Sequence, residues 1–295
     1  MTKTIGWELY RSFLGVLETG TLSGAARSLG MTQPTIGRHV AALEKALGLA
    51  LSTRSQAGLL ATNLALALQP YAESMRSNVA ALERTASSQG AGANGTVRIT
   101  ASEVIGVEVL PTIVRRLRER HPDLKIELVL TDRVQDLFQR EGDIAVRMVR
   151  PTQEALIARR IGHIAVGLHA NREYLAGHKR PRTAADLAAH DLIGFDVESA
   201  FVRSVRGSLK GYDRAAFAIR TDHDLAYLAL IRAGAGIGFC QVSLARRDPE
   251  MVRLLAETFT LQLDTWITMH EDVRNSVLCR VAFDALVEGL RQHVG

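Results

Sequence analysis

Apolar positions in the first fifty residues recur at helical spacing in three successive segments. The segment 7–18 predicts a first helix that ends at Gly20, and Ser23 is placed to cap a short second helix. Two small residues, Ala25 and Ala26, would let the second helix cross the third closely. A helix, a short helix, a tight turn with glycine and a longer helix form the order of a helix-turn-helix.

The third segment, residues 31–47, predicts the helix on which the interpretation of the chain depends. Thr32 is the N-cap, Pro34 falls in the first turn and Gly48 ends the helix. One face is apolar and predicts core contact: Ile36, Val40, Leu43 and Leu47. The opposite face is small or basic, as a helix that enters a DNA groove requires: Pro34, Arg38, Ala41 and Lys45. For this segment alone, an ordinary surface helix is the alternative.

Positive charge is concentrated in the same N-terminal region. Residues 50–62, with Arg54 and Gly58, predict a two-stranded wing beside the third helix. Up to Thr62 there are six Lys and Arg and three Glu, which leaves +3 of the chain's net +5 on this small segment. An excess of this kind suits contact with phosphates, although a bias this small also arises by chance.

Residues 63–88 predict one long helix with a single narrow apolar stripe. The stripe consists of Leu64, Leu68, Tyr71, Met75, Val79 and Leu82. A narrow stripe is typical of helix-on-helix pairing, which makes the last five residues candidate dimer contacts, and packing on its own domain is the alternative. Pro70 is expected to kink or open the helix. The glycine-rich segment 87–95 then predicts a flexible hinge and a domain boundary.

From Thr96 onward, short apolar strands alternate with amphipathic helices, which predicts an α/β domain with a largely parallel sheet. The predicted strands are 97–100, 125–130, 144–148, 164–169, 217–220 and 236–240. The predicted helices are 108–120, 134–139, 183–189 and 224–233, and Cys279 falls in an amphipathic C-terminal helix.

Composition limits the class of protein. A chain of 295 residues with 47% hydrophobic and 23% charged residues predicts a soluble protein of two or three domains. The N-terminus lacks the apolar run of a signal peptide and no stretch reaches membrane-spanning length, so we expect a cytoplasmic protein without a membrane partner. Two cysteines, Cys240 and Cys279, exclude a disulfide framework and are interpreted as core residues, with redox sensing as the alternative.

The search for chemistry favours a binding protein over an enzyme. No phosphate-binding glycine motif, nucleophile elbow or zinc-spaced Cys/His cluster occurs, and we expect no catalytic residues, metal or cofactor. Ligands of α/β sheets settle at the carboxyl ends of strands. Residues at three such ends are candidate ligand contacts: Ser102, Glu103, Arg147, Thr221 and His223. Helix capping, or a structural carboxylate paired with the arginine, is the alternative.

The opening segment resembles the DNA-binding domain of the LysR-type transcriptional regulators. The residues that carry the resemblance are Gly20-Thr21, Ala25-Ala26, Leu29, Gln33-Pro34, Leu43-Glu44, Leu47-Gly48, Leu51 and Arg54. The chain departs from the family pattern at Gly37, where a Ser is usual, and at Ser52, where the wing usually has Phe. The resemblance implies that DNA is contacted by Gln33, Pro34, Thr35, Arg38, His39 and Arg54.

Later motifs extend the resemblance over nearly the whole chain. Residues 142–147 resemble the family's strand with Asp and Arg, and residues 234–237 resemble its Gly-x-Gly-Ile turn, although Gln241 stands where a Pro is usual. The implied fold is a winged helix-turn-helix (1–62), a linker and dimerisation helix with a hinge (63–95), and a two-lobed effector domain like periplasmic binding proteins (96–295).

The lobes are expected at about 96–167 plus 266–295 and about 168–265. Such a regulator would bind an inverted repeat in promoter DNA as a dimer or a tetramer and respond to a small molecule. RNA polymerase stays open as a further partner. The alternatives are a solute-binding protein without DNA function and an enzyme built on the α/β domain.

Overall fold

The computed structural model describes residues 4–55, 58–87, 95–131, 142–151, 156–197 and 214–294, and the structural statements below refer to these ranges. The chain folds into two compact units, the first ending at Ala86 and the second formed by the described residues that follow. The predicted helix 134–139 lies outside the described residues. No helix of the described ranges combines the length and apolarity that crossing a membrane requires.

The first unit consists of helices and one short hairpin, in the order that the sequence predicts. Its elements are α1 (Trp7–Thr19), α2 (Leu22–Leu29), α3 (Gln33–Leu47), β1 (Ser52–Ser55), β2 (Gly58–Ala61) and α4 (Asn63–Ser87). The predicted cap of α2 was wrong. Thr21, not Ser23, is the N-cap, because Thr21 has an extended backbone and its hydroxyl accepts the amide of Gly24 at 3.0 Å. The long helix α4 continues through Pro70.

The core of the first unit lies where α1, α2 and α3 cross. Ala25 and Ala26 are buried as predicted and pack with Val16, Ile36 and Val40. A second cluster joins α1 and α3 to α4 and consists of Phe13, Leu14, Leu43, Leu51, Ala65 and Ala72. Burial of one face of α3 leaves its opposite face for solvent.

The second unit is an α/β fold. Its strands are β3 (Gly95–Ala101), β4 (Leu124–Leu130), β5 (Ile144–Arg147), β6 (Leu156–Asn171), β7 (Leu192–Gly194), β8 (Phe217–Arg220), β9 (Gly238–Gln241), β10 (Met251–Leu254) and β11 (Thr260–His270). Its α-helices are α5 (Glu103–Glu108), α6 (Leu110–Arg120), α7 (Arg172–Ala176), α8 (Asp224–Arg232), α9 (Val242–Ala245) and α10 (Val277–Arg291).

The sheet is only partly parallel, which corrects the prediction of a largely parallel one. The strand order is β10-β6-β11-β5-β3-β4, with β9 also paired to β6, and β7-β8 form a separate parallel pair. β3 is parallel to β4 and β5, but β11 is antiparallel to β5 and β6. The predicted strand 164–169 is only the end of β6, because the exposed charges at Arg159, Arg160 and His163 obscured its first half.

Two long strands divide the second unit into lobes. The second half of β11 pairs with β5 on one side and with the first half of β6 on the other, whereas the second half of β6 pairs with β9 and β10. We call the described residues of 95–151 and 277–294 the first lobe and those of 172–254 the second lobe. The register of β6 and β11 shifts between Thr265 and Trp266, where the chain passes from one lobe to the other.

Two predicted helices differ from the structure. The predicted helix 108–120 is α6, which begins two residues later, at Leu110, and the preceding helix α5 was not predicted; the two stay separate at Val109 because Pro111 in the first turn of α6 cannot continue the hydrogen bonds of a preceding helix. The predicted helix 183–189 is a short 3-10 helix at Ala184–Ala189, and the Asp186 carboxylate accepts the amides of Arg182 and Thr183 at 2.8 Å.

Candidate nucleic-acid interface and ligand cleft

The outer face of α3 is preorganised by its own side chains. Thr32 has an extended backbone and its hydroxyl accepts the amide of Thr35 at 3.4 Å, and Gly48 ends the helix with φ 71°. The Thr35 hydroxyl lies 2.8 Å from that of Thr32, and Arg38 donates to it at 3.4 Å. Gln33, Pro34 and Arg38 are exposed, and Thr35 is half-buried, so this end of the helix offers polar groups at fixed positions.

His39 lies on the flank of α3 that faces α1. Its Nδ1 is 2.8 Å from the hydroxyl of Ser12, which is buried. The ring therefore joins α3 to α1 and is half-buried. Its contact with DNA stays a prediction from the family resemblance.

The wing is attached to α3 by a residue whose role the sequence did not reveal. The Glu44 carboxylate accepts the amides of Leu51 and Ser52, at 2.8 and 3.3 Å, at the point where β1 begins. The backbone of Arg54 lies in β1 opposite Leu59, as predicted for a wing, and its side chain lies outside the described residues. The available signal was the Leu43-Glu44 pair, which precedes the wing by only a few residues.

The apolar stripe of α4 is divided between two environments. Leu68 packs against the core of its own unit, beside the buried Ala65 and Ala72. Tyr71 and Leu82 are 71% and 68% exposed. Met75 and Val79 are half-buried. Leu68 thus packs on its own unit, which was the alternative to dimer contact. Tyr71 and Leu82 are instead exposed apolar side chains, as expected for a face that pairs with another helix.

In the first lobe, the predicted ligand residues follow the carboxyl ends of adjacent parallel strands. Ala101 of β3 lies opposite Val146 of β5, so Ser102 and Arg147 follow at the same edge of the sheet. Ser102 is the N-cap of α5 without a cap bond from its side chain, and Glu103 begins the helix. Arg147 is buried and donates to the carbonyl of Val146 at 3.0 Å.

The second lobe presents an equivalent edge after β7 and β8. Thr221 donates its amide to Gly194 at 3.0 Å, and its hydroxyl accepts the amide of His223 at 3.2 Å. Asp222 accepts the amides of Asp196 and Val197, both at 2.9 Å. Only the bond from the His223 amide to the Thr221 hydroxyl is local, and the others join this turn to the residues at the end of β7.

The two edges meet across the lobes. His223 Nδ1 lies 3.4 Å from Glu103 Oε2, so the structure brings together the predicted pairs Ser102-Glu103 and Thr221-His223. Residues separated by more than a hundred positions thus meet between the lobes, and we call this candidate ligand site, with its two hydroxyls, carboxylate and imidazole, the cleft. Such a set can hold a small polar molecule by hydrogen bonds.

Two motifs of the second unit have structural roles. The Asp143 carboxylate accepts the amide of Arg98 at 2.8 Å, and a Cβ at Gly142 would lie 2.7 Å from the Thr100 side chain. Gly234 has φ 73°, and a Cβ at Gly236 would lie 2.3 Å from the carbonyl oxygen of Asp191. Both motifs therefore fix the starts of strands, the first that of β5 and the second that of β9.

The cysteines are poor candidates for redox chemistry. Cys240 and Cys279 are both free and buried. Burial raises the pKa of the Cys240 thiol to about 12, so it stays protonated and unreactive near neutral pH. Within the described ranges, no group of three or more His, Cys, Asp or Glu side chains is arranged to hold a metal ion.

A winged helix-turn-helix followed by a long helix and a two-lobed α/β unit defines the class of ligand-responsive DNA-binding regulators. Residues 7–65 match the profile described as "Bacterial regulatory helix-turn-helix protein, lysR family", and residues 90–291 match "LysR substrate binding domain". The chain therefore belongs to the LysR family of DNA-binding transcription regulators, and it carries both domains of that family.

Individual relatives agree with this assignment. The chain is 29% identical over 183 residues to the HTH-type transcriptional regulator CrgA of Neisseria meningitidis serogroup C (strain 8013), a match that covers 62% of this chain and 61% of the relative. The matched region thus spans less than two thirds of that relative. The solved structure of CrgA from Neisseria meningitidis is 25% identical, with a TM-score of 0.59 over 98% of this chain and 99% of that one.

A further solved structure shares the fold. Full-length CbnR, solved in complex with its target DNA, is 19% identical and has a TM-score of 0.65 over 96% of this chain and 99% of that one. At this identity the likeness concerns the fold, which is that of a full-length family member.

Proposed function

We propose that this protein regulates transcription by binding double-stranded promoter DNA through α3 and by responding to a small molecule held between its lobes. The observation that carries the proposal is the outer face of α3, where Gln33, Thr35 and Arg38 present polar groups on a helix whose other face is buried. Gln can bond adenine bidentately, and Arg can bond guanine or a phosphate. We leave His39 out of the contact set because its ring bonds Ser12.

The proposed domains are the winged helix-turn-helix (1–62), the linker helix and hinge (63–95), and the effector domain (96–295). The predicted lobe boundaries, near 167 and 266, fall within β6 and β11. Arg54 is proposed to contact the DNA backbone from the wing. A regulator of this kind acts in the cytoplasm, where its DNA is, and we propose no enzymatic activity for it.

Self-association through α4 is part of the proposal, because an inverted repeat requires two copies of α3. Tyr71 and Leu82 are large, exposed and on the same stripe. Changing both to Asp should give monomers in light scattering. The matched control is Leu66→Asp, since Leu66 is also exposed on α4 but lies off the stripe. An unchanged mass for the double variant would contradict the assignment.

The cleft is proposed to hold the effector, with Ser102, Glu103, Thr221 and His223 at its surface and Arg147 supporting its edge. Ser102→Trp or Thr221→Trp should abolish the response to an effector identified by thermal-shift screening, and DNA binding should persist. Thr112→Trp, at an exposed position of α6, is the control. A loss of both functions would instead indicate a structural role.

The direct test of the function is selection of binding sites from random duplex DNA with the full-length chain. The proposal predicts enrichment of an inverted repeat, and Gln33→Ala should lose that enrichment. A solute-binding protein or an enzyme on the α/β unit would enrich no sequence.

A further inference from the structure

The wing formed by β1 and β2 is joined to the helices by hydrogen bonds at both of its strands. The Glu44 carboxylate of α3 accepts the amides of Leu51 and Ser52 at the start of β1, at 2.8 and 3.3 Å, and both bonds use the same oxygen, Oε1. The amide of Leu59 in β2 donates to the carbonyl of Gly20, between α1 and α2, at 3.2 Å. Glu44 is thus a side-chain connection between α3 and the wing.

Apolar packing beneath the wing is incomplete. A cavity of about 40 Å³ lies between the hairpin and the helices α1 and α3. The residues that line it are Phe13, Val16, Leu17, Val40, Leu51, Ser52, Leu59 and Ala61. Protein interiors leave few voids larger than a water molecule, which occupies roughly 30 Å³ in the liquid. Part of the packing that would otherwise hold the wing against the helices is therefore missing.

Ser52 is the residue at which this cavity and the bonds to Glu44 coincide. Its amide donates to Glu44, and the residue lines the cavity. Leu51, one position earlier, is buried and anchors the chain where it enters the wing. The small side chain of Ser52 then offers little dispersion attraction to the apolar walls. The direction in which β1 leaves the core consequently depends on the bonds to Glu44, which its charge strengthens.

The direction of β1 determines where Arg54 lies. The backbone of Arg54 is two positions beyond Ser52 in β1, opposite Leu59. A strand rises about 3.3 Å per residue, so Arg54 is roughly 7 Å from the point that Glu44 holds. A tilt of the hairpin about its start would move Arg54 relative to α3, because α3 is held separately by its buried face.

We propose that Glu44 is a positioning residue of the DNA interface, which fixes β1 relative to α3 so that Arg54 reaches the phosphate backbone when α3 lies in the major groove. The inference rests on the proposed function, since it concerns the same interface. A carboxylate on a helix that meets a polyanion is unfavourable in itself. The bonds from Glu44 to the wing explain why an acidic residue stands at this position.

The test is a double-mutant cycle between Glu44 and Arg54, measured as the salt dependence of binding to random-sequence duplex DNA by the full-length chain. Random DNA is sufficient because a backbone contact does not depend on base sequence. In the native chain, Arg54→Ala should reduce the slope of log affinity against log salt by about one unit. In Glu44→Ala, the same change should reduce the slope by less than about half a unit, because the wing no longer holds Arg54 at the backbone.

Two controls separate the bonds of Glu44 from its charge. Glu44→Gln removes the charge but keeps an oxygen that accepts both amides, so Arg54→Ala should again reduce the slope by about one unit. Glu18→Ala removes another carboxylate of the first unit, which pairs with Arg76. This variant should also preserve the effect of Arg54→Ala.

Filling the cavity should compensate for the loss of Glu44. Ser52→Val replaces a hydroxyl with two methyl groups beside the cavity, and valine suits a strand. Added to Glu44→Ala, Ser52→Val should restore most of the effect of Arg54→Ala. By itself, Ser52→Val should raise the unfolding midpoint of the first unit by roughly 4 °C.

Hydrogen exchange of the Leu51 and Ser52 amides reports on the same bonds without DNA. It should be about tenfold faster in Glu44→Ala and nearly native in Glu44→Gln. Equal slope reductions by Arg54→Ala with and without Glu44, or unchanged exchange in Glu44→Ala, would overturn the proposal. A midpoint lowered by Ser52→Val would overturn it too, and this variant serves if Glu44→Ala does not fold. Failure of the proposed function is a different result, namely an affinity of the native chain that does not depend on salt.

Discussion

The outer face of α3 and the cleft between the lobes are assembled from the sequence in opposite ways. On α3, Thr32, Thr35 and Arg38 are three positions apart and bond one another along one helix. At the cleft, Glu103 meets His223, and nearby Glu108 meets Arg232 from 124 positions away. A local site is complete once its helix forms, whereas a site from distant strand ends depends on the whole topology.

The two sites also differ in charge. The exposed side of α3 carries Arg38 and Lys45 without an acidic residue, which suits a partner that is always anionic. In the cleft, acidic and basic side chains already face each other. The first site is thus suited to a uniform polyanion and the second to a particular small molecule.

The largest expected effects test whether the two units are energetically separate. Leu43 and Leu286 are both completely buried, one in each unit. Leu43→Ala and Leu286→Ala should each cost about 2–5 kcal/mol of the free energy of unfolding, in their own unit only. Differential scanning calorimetry should show one transition shifted in each variant. A common shift of the whole unfolding profile would contradict the separation.

Acid should destabilise the second unit. Burial lowers the pKa of both His169 and His293 to about 4, below the ordinary value of 6.5. Since the unfolded chain binds protons more readily, this stability is complete above pH 6.5 and is lost as the pH falls towards 4, by roughly 3 kcal/mol for each group. Denaturant unfolding at several pH values checks this, and His293→Gln should flatten the dependence. An equally steep curve in that variant would contradict it.

Readout by α3 should appear in a single side chain. Gln33→Ala should cost about 1–3 kcal/mol on the selected operator and little on random DNA, because Gln33 is exposed at the amino-terminal end of α3, which we propose faces the bases. Lys45→Ala, at the other end of the same face, is the control and should weaken both DNAs alike. Equal losses for Gln33→Ala on both DNAs would show that α3 does not read sequence.

The smallest effect concerns Gly37, where the family usually has Ser. Among the described residues, a Cβ at this position would meet Leu22 alone, at 3.7 Å, so the site accepts a side chain. Gly37→Ala should stabilise the first unit by up to about 1 kcal/mol through helix propensity. Thermal unfolding measures this, and a lower midpoint would indicate that the glycine is needed for packing.

Sequence reasoning was most successful where structure is local. The caps Thr32 and Gly48 and the buried face of α3 were predicted because each depends on neighbours within a few positions. The full lengths of the strands β6 and β11 were not predicted. Exposed charges interrupt the apolar pattern of β6, and each of the two strands has one half in each lobe. The pairing of His223 with Glu103 was likewise beyond reach, because no periodicity links the ends of separate strands. Ser102 and Thr221 were predicted from the rule that ligands of α/β sheets bind at the carboxyl ends of strands. That rule indicates the edge of the sheet but not which residues meet there.

The central claim is that the outer face of α3 binds DNA, and the most direct measurement is the salt dependence of operator affinity for the native chain and for Arg38→Gln. The account predicts a steep linear fall of the logarithm of affinity with the logarithm of salt concentration, and a slope that is smaller by about one unit in Arg38→Gln. An affinity that is independent of salt, or a slope that Arg38→Gln leaves unchanged, would contradict it.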